Sequence, residues 1–298
     1  MNNIKYEIND LKEYIETIHS IKSTSPIDLY YRGQSNEAYE LIPSIGHKIC
    51  KDSDKTYLLI ERDLIKEALF KYPKVFGKYD SHIDLLTQLQ HYNVPTRLMD
   101  VTSNPLVALY FACASNSGIN GEVFAFKMNA IDTYDNEIVD PLASVGSLNM
   151  SYPVKFEDHL KRCGIELSNS ANKHTTNYER IIAYSRFPVL LRQKTAFEQQ
   201  KAQSGYYLLF SNKLENINPN NHEFESSNNE YYFADAIEPI DKKNEQIVIL
   251  KIPSASKNKI LSQLKTVNID ESTLFPEDRD RGCRMMVKDL SDYYLSQD

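Results

Sequence analysis

The sequence predicts an α+β fold. Helical periodicity dominates the first half of the chain, and most apolar strand-like runs lie further on. The two never settle into a regular β-α-β alternation.

Residues Asn9 to Ser20 form the first expected helix. Leu11, Tyr14, Ile15 and Ile18 recur at helical spacing behind Asn9 or Asp10 as N-cap. Leu29 to Tyr31 reads as a short aromatic strand running into Arg32-Gly33-Gln34-Ser35. Tyr57 to Tyr72 is a second helix with a Leu58, Ile65, Leu69, Tyr72 stripe. Pro73 closes it, because a residue before proline avoids the helical region. Ile83 to Tyr92 is a third helix, after which Pro95 forces Thr96 to Asp100 into an extended path. Asn104-Pro105 opens a helix apolar almost all round from Leu106 to Ala114, hence a buried one. Glu122 to Met128, Tyr206 to Phe210 and Gln246 to Ile252 are strands. Residues 129 to 180 mix loops with short helices. Ser211 to Glu230, rich in Asn and Ser, reads as a solvated insertion, and Ser254 to Leu264 as a late helix with Ile260, Leu261 and Leu264 inward.

The 298 residues suffice for a buried core without staples. Lys and Arg number 34 against 41 Asp and Glu, a net charge of −7, so bulk electrostatics repel phosphates and any nucleic acid must meet a local basic patch. With only nine glycines and no Walker or G-x-G-x-x-G string, a P-loop NTPase and a standard Rossmann dehydrogenase are disfavoured. Cys50, Cys113, Cys163 and Cys283 lack C-x-x-C spacing; no metal site is expected, and Cys113 reads as core packing. The charged N-terminus does not resemble a signal peptide and no run of about 18 apolar residues occurs, so a reducing, cytoplasmic setting without a membrane is expected.

Three strings carry chemistry. In Tyr31-Arg32-Gly33-Gln34-Ser35, an arginine at the mouth of a strand offers a planar donor fork beside an uncrowded backbone, suited to a diphosphate or a ribose. The plainer alternative is a salt-bridged arginine at a turn. From Gln90-His91-Tyr92 through Thr96, Arg97, Asp100 and Thr102 to Asn104-Pro105, polar groups crowd between apolar helices. They must find partners in one another or in a ligand. The structural alternative pairs Asp100 with Arg97 and leaves Asn104 as a cap. The third string, Glu198 to Gly205 before the strand at Tyr206, sets a carboxylate or amide where it could meet a ribose; otherwise it is an exposed helix end.

Together these strings resemble the FRG-domain family, named for an aromatic-Arg-Gly tripeptide. The tripeptide here is Tyr31-Arg32-Gly33, continued by Gln34-Ser35 and Leu41-Ile42-Pro43-Ser44. The most specific match runs from Gln90-His91-Tyr92 through Pro95-Thr96-Arg97-Leu98, Asp100, Thr102 and Asn104-Pro105 to Ala108-Leu109-Tyr110-Phe111-Ala112. Gln203-Ser204-Gly205 and Leu274-Phe275-Pro276 follow the pattern further on. Where the family often carries an Arg a turn ahead of Gln-x-Gly, this chain has Gln199 beside Glu198. The resemblance covers roughly residues 27 to 280, and it implies a domain over 27–280 between an N-terminal helical segment, 1–26, and a C-terminal tail, 281–298.

FRG domains in turn look like distant relatives of ADP-ribosyltransferases. That likeness implies a split, mixed β-sheet core surrounded by helices, with NAD as co-substrate in the cleft. Breaking the nicotinamide–ribose bond builds positive charge at the ribose, which the site must stabilise. The resemblance assigns catalysis to Arg32, Glu198 and Gln203. It assigns NAD contact to Tyr31, Arg32, Gly33, Gln34, His91, Tyr92, Thr96, Arg97, Thr102 and Asn104. Glu198 supplies negative charge, whereas the Gln203 amide orients without acting as a base. The implied function is a bacterial toxin or antiphage effector that ADP-ribosylates nucleic acid, RNA above DNA, or protein, with a possible neutralising antitoxin protein. Arg186, Arg192, Lys194 and Lys201 are the local cations placed to hold phosphates. The rival from another class is a nucleotide- or NAD-binding sensor module that performs no chemistry.

Overall fold

The computed structural model describes residues 5–50, 52, 54–132, 136–150, 154–165, 177–192, 197–215 and 231–276. Lys194, Cys283, most of the 211–230 tract and the 281–298 tail, on all of which the sequence raises expectations, lie outside them.

The strands are β1 (Lys5–Glu7), β2 (Leu29–Gln34), β3 (Leu98–Thr102), β4 (Gly121–Lys127), β5 (Ile131–Asp132), β6 (Val189–Arg192), β7 (Gly205–Leu209), β8 (Leu214–Glu215), β9 (Tyr232–Phe233) and β10 (Ile247–Ile252). The helices are α1 (Leu11–Ser23), α2 (Glu61–Lys71), α3 (Pro73–Phe76), α4 (His82–His91), α5 (Pro105–Cys113), α6 (Asn136–Ala143), α7 (Phe156–Arg162), α8 (Asn177–Arg186), α9 (Glu198–Ala202), α10 (Lys257–Thr266) and α11 (Glu271–Leu274). Among the described residues, eight strands make one mixed sheet in the order β1-β10-β4-β2-β3-β7-β6-β5, and β8 pairs with β9 apart from it. Every pair in the large sheet is antiparallel except β1–β10 and β5–β6.

The α+β expectation holds, with corrections that local rules explain. Asp10 caps α1, its carboxylate accepting from the Glu13 amide at 3.0 Å, so the helix starts two residues later than Asn9. Pro73 does close α2, but it also sits at the first position of α3, where its missing N–H costs nothing. Asn104 caps α5 by accepting from the Leu106 amide at 3.0 Å. Arg32 is not at the mouth of a strand. It lies inside β2, which continues through Gln34. Ser211 and Asn212, assigned to a solvated insertion, are buried.

The sheet is split at its centre. β2 is paired with β4 over six residues and β3 with β7 over five, yet β2 and β3 share one register pair, Tyr31 with Thr102. Strand alternation divides the core. On one face two helical clusters stand apart: one includes residues of α2, α4, α6, α7 and α8, the other residues of α1, α5 and α10. On the opposite face Tyr30, Met99, Val101, Phe124, Phe126 and Leu208 meet loop residues such as Leu41 and Ile45. The split therefore lies where the two helical clusters part.

Gly33 fixes how closely α5 covers this region. A Cβ there would collide with the Ala108 carbonyl and the Ala112 amide, and one at Gly121 would collide with the Ala112 carbonyl. The aromatic-Arg-Gly glycine is a seat for a helix backbone, not room cleared for a ligand.

Candidate active site

A cleft of about 470 Å³ opens at the split. β2 brings Tyr31, Arg32 and Gly33, and β3 brings Asp100, Val101 and Thr102. α5 contributes Val107, Ala108 and Phe111. The segment leading through α9 into β7 brings Phe197, Gln199, Gln200, Gln203 and Tyr207, while Gln90, His91 and Phe275 close the rim. Residues from both faces of the sheet line it, so the cleft reaches into the gap between β2 and β3.

Arg32 spans that gap. Its Nη1 donates to the Asp100 carbonyl at 2.6 Å, taking an acceptor that a fully paired β2 would have used. Its Nε is buried with no hydrogen-bond partner among the described residues. Burial lowers the guanidinium's pKa and Asp100 opposes the drop; arginine stays charged at any working pH. The same cation, after burial, depresses His47 on the neighbouring loop, so no second full charge competes there near neutrality.

Asp100 is the only carboxylate among the residues lining the cleft. Water reaches it from the opening, yet protein surrounds it, and burial raises its pKa above the usual carboxylate range. Arg32 and a hydrogen bond from Gln90 oppose that rise. Gln90 Nε2 donates to Asp100 Oδ2 at 3.0 Å, and Gln90 Oε1 accepts from the Thr96 hydroxyl at 2.6 Å. Thr96 also receives the Leu98 amide, so it braces this network from outside the cleft.

The other expected contacts separate. Thr102 lines the cleft; its hydroxyl donates to the Gln203 carbonyl at 2.6 Å and accepts the Asn104 amide at 2.9 Å. Tyr31 also lines it, its hydroxyl pushed up to about 12 by burial. His91 lies at the rim, stacked on Phe197 with ring centroids 3.8 Å apart. Gln203 is held by its Nε2 to the Leu274 carbonyl at 3.1 Å.

Besides Thr96, five residues are displaced from their expected roles. Arg97 is 1% exposed and faces away from the cleft. It forks onto both carboxylate oxygens of Glu61 and donates to the Phe210 carbonyl and Asn212 Oδ1, each at 3.2 Å. The expected Asp100–Arg97 pair is therefore replaced by Glu61–Arg97. Asn104 spends its side chain on the cap. Gln34 is buried beside the loop, its Nε2 on the Glu40 carbonyl at 3.1 Å. Tyr92 is half-exposed, edge-on to Phe76, and outside the cleft lining. Glu198 is exposed and ion-paired with Lys201, one helical turn on. The spacing explains it: Gln199 and Gln203 share one face of α9's turn, and Glu198 and Lys201 share another.

Sequence reasoning did not single out Phe197 or Tyr207 as site residues. Each is an ordinary core-forming aromatic by type, and only the tertiary path brings it here. Phe111 and Phe275 carry a signal, since they lie in stretches that follow the family pattern, Ala108 to Ala112 and Leu274-Phe275-Pro276; they meet edge-on at 6.1 Å.

Comparison with curated proteins and with solved structures finds no match. A family comparison does: the FRG domain matches residues 28–120. That stretch supplies the arginine that bridges the split, the Gln90–Asp100 network and the helix seated on Gly33, and over those residues the chain matches the FRG domain.

Proposed function

We propose that the chain is an NAD-dependent ADP-ribosyltransferase whose acceptor is a nucleic acid, RNA above DNA. The carrying observation is Arg32: a half-buried guanidinium in the wall of the cleft whose Nε is enclosed and without a partner among the described residues. A buried unpaired donor is costly unless a ligand completes it. Phosphate or ribose oxygens do so with a charge-assisted bond.

The rest of the lining fits NAD. The volume lies in the range of small-molecule sites. Phe197, backed by His91, and the Phe111–Phe275 pair offer flat faces for the rings. Gln203, fixed through its Nε2, keeps its Oε1 to accept from a ribose hydroxyl. When bound, NAD supplies a labile glycosidic bond to nicotinamide. Asp100, held by Gln90, takes the place expected of Glu198: its negative charge favours positive charge at the ribose. An effector of this kind, acting in the cytoplasm, calls for a neutralising partner protein.

A second reading, recognition of NAD or a nucleotide without turnover, is favoured by the scarcity of carboxylates. Asp100 stands alone in the lining and burial works against its charge. Chromatographic assay of nicotinamide release, paired with calorimetric titration of NAD, separates the two. Release supports the transferase, binding without release selects the sensor, and neither binding nor release overturns both. Mass spectrometry of cellular RNA and protein after induction then identifies the acceptor, and adducts confined to protein would overturn the nucleic-acid assignment.

A further inference from the structure

Between α2 and α4 the chain reads Phe70-Lys71-Tyr72-Pro73-Lys74-Val75-Phe76-Gly77-Lys78-Tyr79. Four aromatic rings alternate with three lysines, and no acidic residue interrupts them, in a protein whose net charge is −7. All ten residues except Phe76 are exposed, and Phe70 is 83% exposed, the highest value among the large hydrophobic side chains. Nothing in helix propensity or core packing asks for exposed rings here.

The strip connects to the cleft through rings in contact. Tyr72 meets Phe76 at 6.4 Å, Phe76 meets Tyr92 at 5.5 Å, Tyr92 meets His91 at 5.1 Å, and His91 stacks on Phe197 at 3.8 Å. His91 and Phe197 line the cleft. Tyr92, displaced from the NAD site, is the exposed ring midway along this path.

We propose that the surface from Phe70 to Tyr79, continued by Tyr92, is a track for single-stranded nucleic acid leading to the mouth of the cleft. Exposed rings alternating with cations are what a single strand needs, bases stacking on the rings while lysines meet the phosphates. A duplex keeps its base faces covered and gains nothing from the rings. Charge complementarity favours this occupant over an apolar protein segment, because Lys74 and Lys78 would be desolvated without counter-charge against one. The inference deepens the transferase reading by locating its acceptor. It moves the phosphate contacts away from Arg186, Arg192 and Lys201, the last of which is ion-paired with Glu198, to Lys74 and Lys78; Lys71 is itself ion-paired with Glu67 at 3.0 Å.

The test is fluorescence anisotropy of the whole chain with labelled oligouridylate and oligothymidylate of about 20 nucleotides, longer than a usual site, without NAD. Binding is expected to weaken with salt. Lys74→Glu with Lys78→Glu should reduce the log–log salt slope by about 1.4. Phe70→Ser with Tyr72→Ser should weaken binding about tenfold or more with the salt slope kept. These exposed substitutions should leave the melting temperature unchanged, and the Phe70 and lysine variants should leave acceptor-free nicotinamide release unchanged. A preference between the two oligomers identifies RNA or DNA as the source. Absence of binding to either, or binding indifferent to both double variants, overturns the proposal. Strand binding by a protein that consumes no NAD would sink the transferase reading and leave the track standing.

Discussion

Two arginines flank the central split and live opposite lives. Arg97 has a carboxylate, a backbone carbonyl and an amide oxygen around it. Arg32 has one carbonyl and a donor with nothing to meet. Arg97 is 1% exposed, and Arg32 is half-buried with its Nε enclosed. Completeness of partners separates them: the saturated arginine holds β3 to the α2 side of the core, and the unsaturated one keeps an Nε without a partner among the described residues.

The contrast can be broken first at Arg97. Removing Glu61 leaves a buried cation without its counter-charge, and Glu61→Ala should cost about 3–5 kcal/mol of unfolding free energy by urea titration. A loss under about 1 kcal/mol would mean the pair is not the anchor it looks like. Next comes the helix seat. Gly33→Ala forces α5 off β2 and should cost about 3 kcal/mol, whereas Gly118→Ala, with open space around its new methyl, should stay near neutral in the same thermal melts.

On the other side of the contrast, Arg32→Lys should change stability by less than about 1 kcal/mol while weakening NAD about tenfold, as calorimetry would read. A destabilised variant with normal affinity would assign Arg32 to the scaffold as well. The smallest effect is expected at Asp100. Its folded pKa lies above the unfolded value near 3.8, so between those two values the folded state holds more proton. Its contribution to stability therefore falls as pH rises through that window and stays lost above it. Asp100→Asn should flatten that part of a stability–pH profile measured by chemical denaturation. An unchanged profile would show that the carboxyl is not perturbed.

What the sequence made legible is what neighbouring residues decide. Asn104-Pro105 announced α5, and the polar run from Gln90 to Asn104 announced a network beside a cleft. What it hid depends on partners far along the chain. Arg97 was matched to Asp100 because they are close in sequence, while its true counter-charge, Glu61, sits on a helix 36 residues earlier. Gly33 looked like space for a ligand because nothing nearby reveals that α5 presses on it. Glu198 looked catalytic because a five-residue helix gives too short a pattern to tell its cleft face from its outer face.

The buried ammonium of Lys257 draws these distances together. It is fully enclosed and donates to the carbonyls of Ser35, Ser115 and Asn116, at 2.6, 3.0 and 3.1 Å. Those carbonyls lie in the FRG stretch; the lysine does not. Among the described residues of 28–120 the only strands are β2 and β3, which share a single register pair, and the strands that hold them, β4 and β7, follow later. The recognisable sequence unit is thus not a unit of folding. On the ribosome it waits with two unsupported strands until the rest arrives, and the cleft cannot close until Phe275 has emerged.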